Sequence, residues 1–280
     1  MHRIFAYWML FTSCLLVAPW ADALESSAIK TPHAEVTLIS ETNAVEPGRP
    51  FRLGLHFKLA KGWHIYWVNP GEAGEAPRLE LTLPEGAKGG SDIAWPTPFR
   101  IPEGPVMTYG YLDEVVLPLT VTAQMIRTSF PVEAKASWVV CEKICVPEQG
   151  SFRLDIPVGR EESSPEARLF ISADQRIPRT SPFVAKLAPD GSLFIEGNKI
   201  SMKSVADAWF FPDKWGAIED SAPQISTVVE GKLILAFKRG QTFNPNETLT
   251  GVLVTKDASN KESFYTIAAD PSVPASTEER

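Results

Sequence analysis

The sequence predicts an all-β chain: an antiparallel β-sandwich followed by a second, smaller β domain, the two joined by a short helix. Three observations carry this. Apolar residues recur at every second position in segment after segment, the period of a half-buried strand. The chain contains 24 prolines and 18 glycines, which punctuate those segments at the spacing of a sandwich. Helix-start signals inside the chain are confined to one place. A length of 280 residues allows two domains, each able to bury a core without crosslinks.

The elements follow in order. Met1-His2-Arg3 precedes an apolar run from Ile4 to Trp20 and then Ala21-Asp22-Ala23. A positive start, a short apolar run and a small-x-small site read as a secretory signal peptide over residues 1–23. Cys14 is expected to leave with it. No later segment is apolar for long enough to cross a bilayer, so the mature chain is expected to be exported and free of membrane spans. A net charge of −7 and a pI near 5.3, with no basic stripe, argue against nucleic acid as a partner.

Residues 24–160 read as the first domain. In Phe51–Leu59 the apolar residues alternate, which places Arg52, His56 and Lys58 on a wet face. Further strands are expected at Val36–Leu38, Leu79–Leu83, Val115–Val121, Val132–Val140 and Phe152–Ile156. Ser164-Pro165-Glu166 has the form of a helix start, so a short helix is placed in the linker, residues 161–178. New strand candidates then run through residues 179–269, the second domain. Trp209, Phe210 and Phe211 cannot all face one side of a strand, so some should meet the linker helix or the other domain. From Asp270 to Arg280 the composition is that of a loose tail.

Cys141 and Cys145 are the only cysteines outside the leader. A strand ending at Cys141, a turn of Glu142, Lys143 and Ile144, and a return strand would place the two sulfurs opposite each other, within disulfide reach. Spacing leaves two readings open, a structural staple or a redox couple. As a staple, so small a ring restrains the unfolded chain by only about 2 kcal/mol. As a couple, Lys143 favours the thiolate while Glu142 and Glu148 oppose it, and no helix start is near. The pair therefore suits a shuttle whose thiols are activated by a visiting partner. The same thiols could hold Cu(I), with His64 or Met107 completing the site. Zinc lacks a second Cys or His pair. No cofactor is implied. Tyr109 and Tyr111 flank Gly110 and could form a hinged lid or be core tyrosines. Asn69-Pro70-Gly71 reads as a turn, and Glu72 and Glu75 as a solvated loop.

Gly62-Trp63-His64-Ile65-Tyr66-Trp67-Val68-Asn69-Pro70-Gly71, Tyr109 to Pro118, and Val140 to Pro147 together resemble the N-terminal periplasmic part of the thiol:disulfide interchange protein DsbD. The likeness is closer to its relative ScsB, a copper-sensitivity suppressor. Trp209 to Asp213, Ala222-Pro223-Gln224 and Gly251 to Val254 resemble the second β domain of ScsB-like chains.

The resemblance implies an immunoglobulin-like first domain whose cysteine pair relays electrons in the periplasm to or from thioredoxin-fold proteins. It assigns Cys145 to the mixed disulfide with a partner and Cys141 to its resolution. It puts a shielding loop near Met107-Thr108-Tyr109-Gly110, with Thr108 where the family carries an aromatic lid and Tyr109 beside it. Trp63, His64 and Tyr66 match the strand flanking the site. The family's membrane and thioredoxin-like domains have no counterpart in this sequence, so either a separate membrane reductase of the DsbD or ScsB kind supplies the electrons or the chain serves another purpose. A copper-tolerance protein using Cys141 and Cys145, and a binding module with a structural hairpin disulfide, are the alternative readings.

Overall fold

The structure is a computed structural model that describes residues 24–124, 128–198 and 200–272. The expected signal peptide and most of the expected tail lie outside the described residues. Among those described, no helix is long and apolar enough to cross a membrane.

The first domain contains β1 (Ile29–Lys30), β2 (Ala34–Ser40), β3 (Pro50–Leu59), β4 (His64–Gly71), β5 (Arg78–Thr82), β6 (Lys88–Ile93), β7 (Phe99–Glu103), β8 (Val106–Leu112), β9 (Glu114–Thr122), β10 (Ser129–Cys141) and β11 (Cys145–Pro157). They form two antiparallel sheets, one ordered β1-β2-β3-β9-β6, the other β11-β10-β4-β8-β7 with β5 on the flank of β10. This is an immunoglobulin-like sandwich. Strict alternation along β10 sends Val132, Ala134, Ala136, Trp138 and Val140 into the core. There Trp138 meets Phe57 of the facing sheet edge to face, at 5.5 Å between centroids.

The helix α1 (Ala167–Asp174) follows, beginning a little later than Ser164-Pro165 suggests. It does more than connect. Phe170 and Ala173 pack on Ile39 and Val116, on the outer face of the first sheet. Gly54 of β3 makes room, because a Cβ there would overlap Val116 and crowd the Phe170 ring. The face of β3 expected to be wet is thus partly covered. His56 is buried and bonded to Glu114 at 2.9 Å, and Arg52 bonds both Glu41 and Asp174 of the helix. Strand alternation could not reveal a helix arriving from more than a hundred residues downstream.

The second domain contains β12 (Arg179–Thr180), β13 (Val184–Leu187), β14 (Leu193–Glu196), β15 (Asp207–Pro212), β16 (Ile225–Val229), β17 (Lys232–Ala236), β18 (Leu249–Lys256) and β19 (Glu262–Pro271). They make one curled sheet ordered β15-β18-β19-β13-β14-β17-β16, with β12 on β19. Its two ends are tied by a side chain. Gln224 accepts from Phe210 N–H at 2.7 Å and donates to Phe210 C=O at 2.9 Å, as a neighbouring strand would. β19 stays paired to Pro271, beyond the residue where the composition turns tail-like.

The domains share a core. Phe211, Val252, Val254 and Phe264 join the sandwich cluster. Phe211 stands edge-on to Tyr109 at 4.8 Å and to Trp67 at 6.0 Å, while Phe210 turns into the second domain's own core. Asn69 does not sit in a free turn. β4 runs on through it with a bulge, and its buried amide donates to Pro212 C=O at 2.7 Å. Glu72 is likewise engaged, accepting from Met107 N–H at 2.7 Å and from the Ser221 hydroxyl at 2.8 Å.

Candidate redox site

β10 and β11 pair over thirteen residues each, from Ser129 opposite Pro157 to Cys141 opposite Cys145. That long register delivers the two cysteines to the mouth of a three-residue turn, closed by Glu142 N–H donating to Ile144 C=O. Their Cα atoms are 4.2 Å apart and their sulfurs form a disulfide. On its other side Cys141 pairs with His64 of β4. Residues opposite one another in a ladder point to the same face. Val140 next door points into the core, so Cys141, Cys145, His64 and Tyr66 share the outer face.

The two ends of the bond differ. Cys141 is 1 % exposed, whereas Cys145 is open to solvent beside Ile144, itself 67 % exposed at the hairpin tip. Tyr66 donates its hydroxyl toward Cys145 Sγ at 3.6 Å, since a disulfide sulfur has no proton to give. Burial and the charge of Glu103 push the Tyr66 pKa well up, so the group stays a donor. The segment after β4 backs this ring. Gly74, at φ 93°, lies against it so closely that a Cβ would run into the ring.

His64 is 2 % exposed, and its Nε2 lies 2.6 Å from Glu103 Oε1, though not in line for a well-formed hydrogen bond. Burial pushes the imidazole pKa down and the Glu103 charge opposes that. Glu103 ends β7, at the tip of the hairpin that β7 makes with β8, and also accepts from the Thr108 hydroxyl at 3.1 Å. Trp63 stacks on His33 at 4.0 Å. His33 Nδ1 is 2.8 Å from Glu148, which also accepts from Trp138 Nε1 at 3.0 Å. The Glu148 charge is therefore engaged by these partners.

Thr108 and Tyr109 are not in a loop over the disulfide. Both are wholly buried inside β8, between β4 and β7. Tyr109 points inward to Phe211 and Asp220. Gly110 lies opposite Tyr66 in the ladder. The aromatic beside the sulfur is thus Tyr66, and the residues missed by sequence reasoning are Gly74 and Glu103. Glu103-Gly104-Pro105 carried a turn signal that could have placed a carboxylate at a hairpin tip.

Beside the pair, on its edge away from β11, β10 has no ladder partner over residues 138–140, between its pairing with β5 at Ser137 and with β4 at Cys141. A cavity of about 400 Å³ opens there, lined by Glu75, Ala76, Ser137, Val139, Pro147 and Gln149 among others. A cleft of about 1000 Å³ lies in the second domain, around Phe183 and Tyr265, and shares no residue with the disulfide. Among the described residues no group of three or more His, Cys, Asp or Glu is placed to hold a metal ion.

Residues 35–157 match the family model described as thiol:disulfide interchange protein DsbD, N-terminal. The crystal structure of the N-terminal periplasmic domain of ScsB from Proteus mirabilis superposes with a TM-score of 0.65 at 16 % identity. The match covers 90 % of this chain and 100 % of that one. The sporulation control protein Spo0M from Bacillus subtilis is 14 % identical over 84 % of this chain and 91 % of that one, at a TM-score of 0.23. No curated protein sequence matches.

Proposed function

From the premise that residues 35–157 are a DsbD-like N-terminal domain, we propose that this chain is a thiol–disulfide exchange module that relays electrons through Cys141 and Cys145. It works in the periplasm, after removal of a signal peptide at residues 1–23. Its partners are thioredoxin-fold proteins on one side and a separate membrane reductase of the DsbD or ScsB kind on the other.

One observation carries the reading: a single bond with one open and one buried sulfur. Thiol–disulfide exchange needs the attacking sulfur in line with the bond and a leaving group that is retained. A partner can reach Cys145, and the sulfur released by its attack is Cys141, held beneath on the end of β10. In the reducing direction, the Cys145 thiolate attacks a partner disulfide. Cys141 then attacks Cys145 Sγ in the mixed disulfide, the partner leaves as its dithiol, and the intramolecular bond re-forms. The Tyr66 hydroxyl, next to Cys145 Sγ, is placed to donate to the thiolate in the reduced state. The cavity at Val139 and Pro147, beside the pair, gives a partner chain room to settle.

The test is a trap. Cys141→Ala should accumulate a mixed disulfide with a periplasmic thioredoxin-fold protein, and Cys145→Ala should not. Absence of any adduct, together with a disulfide that resists glutathione in the intact protein, would reduce the pair to a staple.

A further inference from the structure

Resting on that reading, we propose that His64 and Glu103 hold the proton for the buried sulfur: they pass it to Cys141 when Cys145 is attacked and take it back when the disulfide closes.

The need arises from burial. When a thiolate attacks Cys145 Sγ, a new sulfur–sulfur bond forms there, the bond to Cys141 breaks, and its electron pair stays on Cys141 Sγ. Cys141 is 1 % exposed, and an unpaired thiolate in such a place is strongly disfavoured. It must be protonated or matched by a cation. The titratable and charged groups around it are few. On β4 there are His64 and Tyr66, on β7 Glu103, and on the turn Glu142 and Lys143. The facing residue of β8 is Leu112, which carries no charge. Tyr66 is directed at Cys145, and the turn residues are exposed to solvent. His64 remains, the direct ladder neighbour of Cys141, on the same face. Side chains so placed have Cβ atoms about 5 Å apart.

Glu103 gives His64 a reason to be there. A carboxylate 2.6 Å from the buried imidazole favours its protonated form and works against the desolvation that pulls its pKa down. As stability alone the arrangement does little, since a buried ion pair seldom outperforms two apolar side chains. The balance closes without any other reagent. In the protonated form that reacts, the pair before attack is imidazolium and carboxylate. Afterwards it is imidazole and carboxylate, Cys141 is a thiol, and Cys145 is joined to the partner. Closure runs the same path backwards. The imidazole removes the Cys141 proton, the Cys141 thiolate attacks Cys145 Sγ, and the partner sulfur leaves with the electron pair.

The experiment measures reduction of the intact chain by dithiothreitol over roughly pH 5 to 9, where histidine titrates. Dithiothreitol needs no protein partner, so a failure to trap a thioredoxin-fold adduct would not affect the result. His64→Gln should slow the reaction about a hundredfold near neutral pH, the low end of what a positioned acid supplies. It should also remove the inflection that is left once the titration of dithiothreitol is subtracted. Glu103→Gln, at a partly exposed position, should keep the inflection but move it to lower pH. In a Cys145→Ser background, His64→Gln should raise the Cys141 thiol pKa. Variants that melt earlier yet keep the wild-type rate, pH profile and Cys141 titration would show a purely structural pair and overturn the proposal.

Discussion

The Tyr109 hydroxyl of the sandwich donates a 2.8 Å hydrogen bond to Asp220 Oδ1 of the second domain, across 111 residues of sequence. The bond sits inside a shared core, against the Phe211 ring. Burial raises the Asp220 pKa from 3.8 to about 6, even though the hydrogen bond from Tyr109 pulls the other way. A carboxyl raised in the folded state binds its proton more tightly there than in the unfolded chain. Its stabilising effect is therefore full below pH 3.8 and is lost as pH rises through about 6. Asp220→Asn should flatten that part of the pH dependence. In thermal melts the variant should gain on the wild type by roughly 6–12 °C between acid and neutral pH, the scale of about 3 kcal/mol for a shift of this size. Parallel curves for the two proteins would contradict it.

Phe211 gives the mechanical counterpart. It is fully buried and touches both Trp67 and Tyr109, so it belongs to two domains at once. Phe211→Ala should cost about 3–5 kcal/mol. The loss falls at the junction, so denaturant unfolding followed by tryptophan fluorescence and by circular dichroism should cease to coincide, one domain melting before the other. A single shifted transition seen identically by both probes would mean that the shared core is not what couples them.

The reach of the sequence is clear from these residues. The β10–β11 hairpin could be read because strict alternation and a lone cysteine pair are both local signals. The three aromatics at 209–211 announced a second packing surface, and Phe211 supplies it. Tyr109 stays open in the sequence between a lid and a core tyrosine because its hydroxyl partner lies in another domain, which no local pattern contains. The outer face of β3 was misjudged for the same reason, since α1 covers it from afar. The positions of Tyr66 and Gly74 depend on a loop folding back, and in the sequence Gly74 is one more turn glycine.

Tyr66 should tune the exposed thiol. Its hydroxyl lies 3.6 Å from Cys145 Sγ. Donation to a thiolate favours the charged form and lowers the thiol pKa. In the reduced protein, Tyr66→Phe should raise the Cys145 pKa by about one unit or less, which corresponds to about 1 kcal/mol for a single hydrogen bond. Thiolate absorbance in a Cys141→Ala background would report it. An unchanged titration would leave Tyr66 as packing alone.

Gly74 should control where that tyrosine stands. At φ 93° it adopts a backbone that side chains rarely tolerate, and it presses on the Tyr66 ring. Gly74→Val would impose both strain and overlap, at a combined cost of about 2–4 kcal/mol. The ring must yield away from residue 74, and its hydroxyl stands beside Cys145 Sγ. Tyr66 then loses its alignment on Cys145. The folded Gly74→Val protein should therefore show the raised Cys145 pKa expected of Tyr66→Phe, and the double variant should add nothing further. Additive shifts in the two single variants would show that the glycine acts on the site by some route other than the tyrosine.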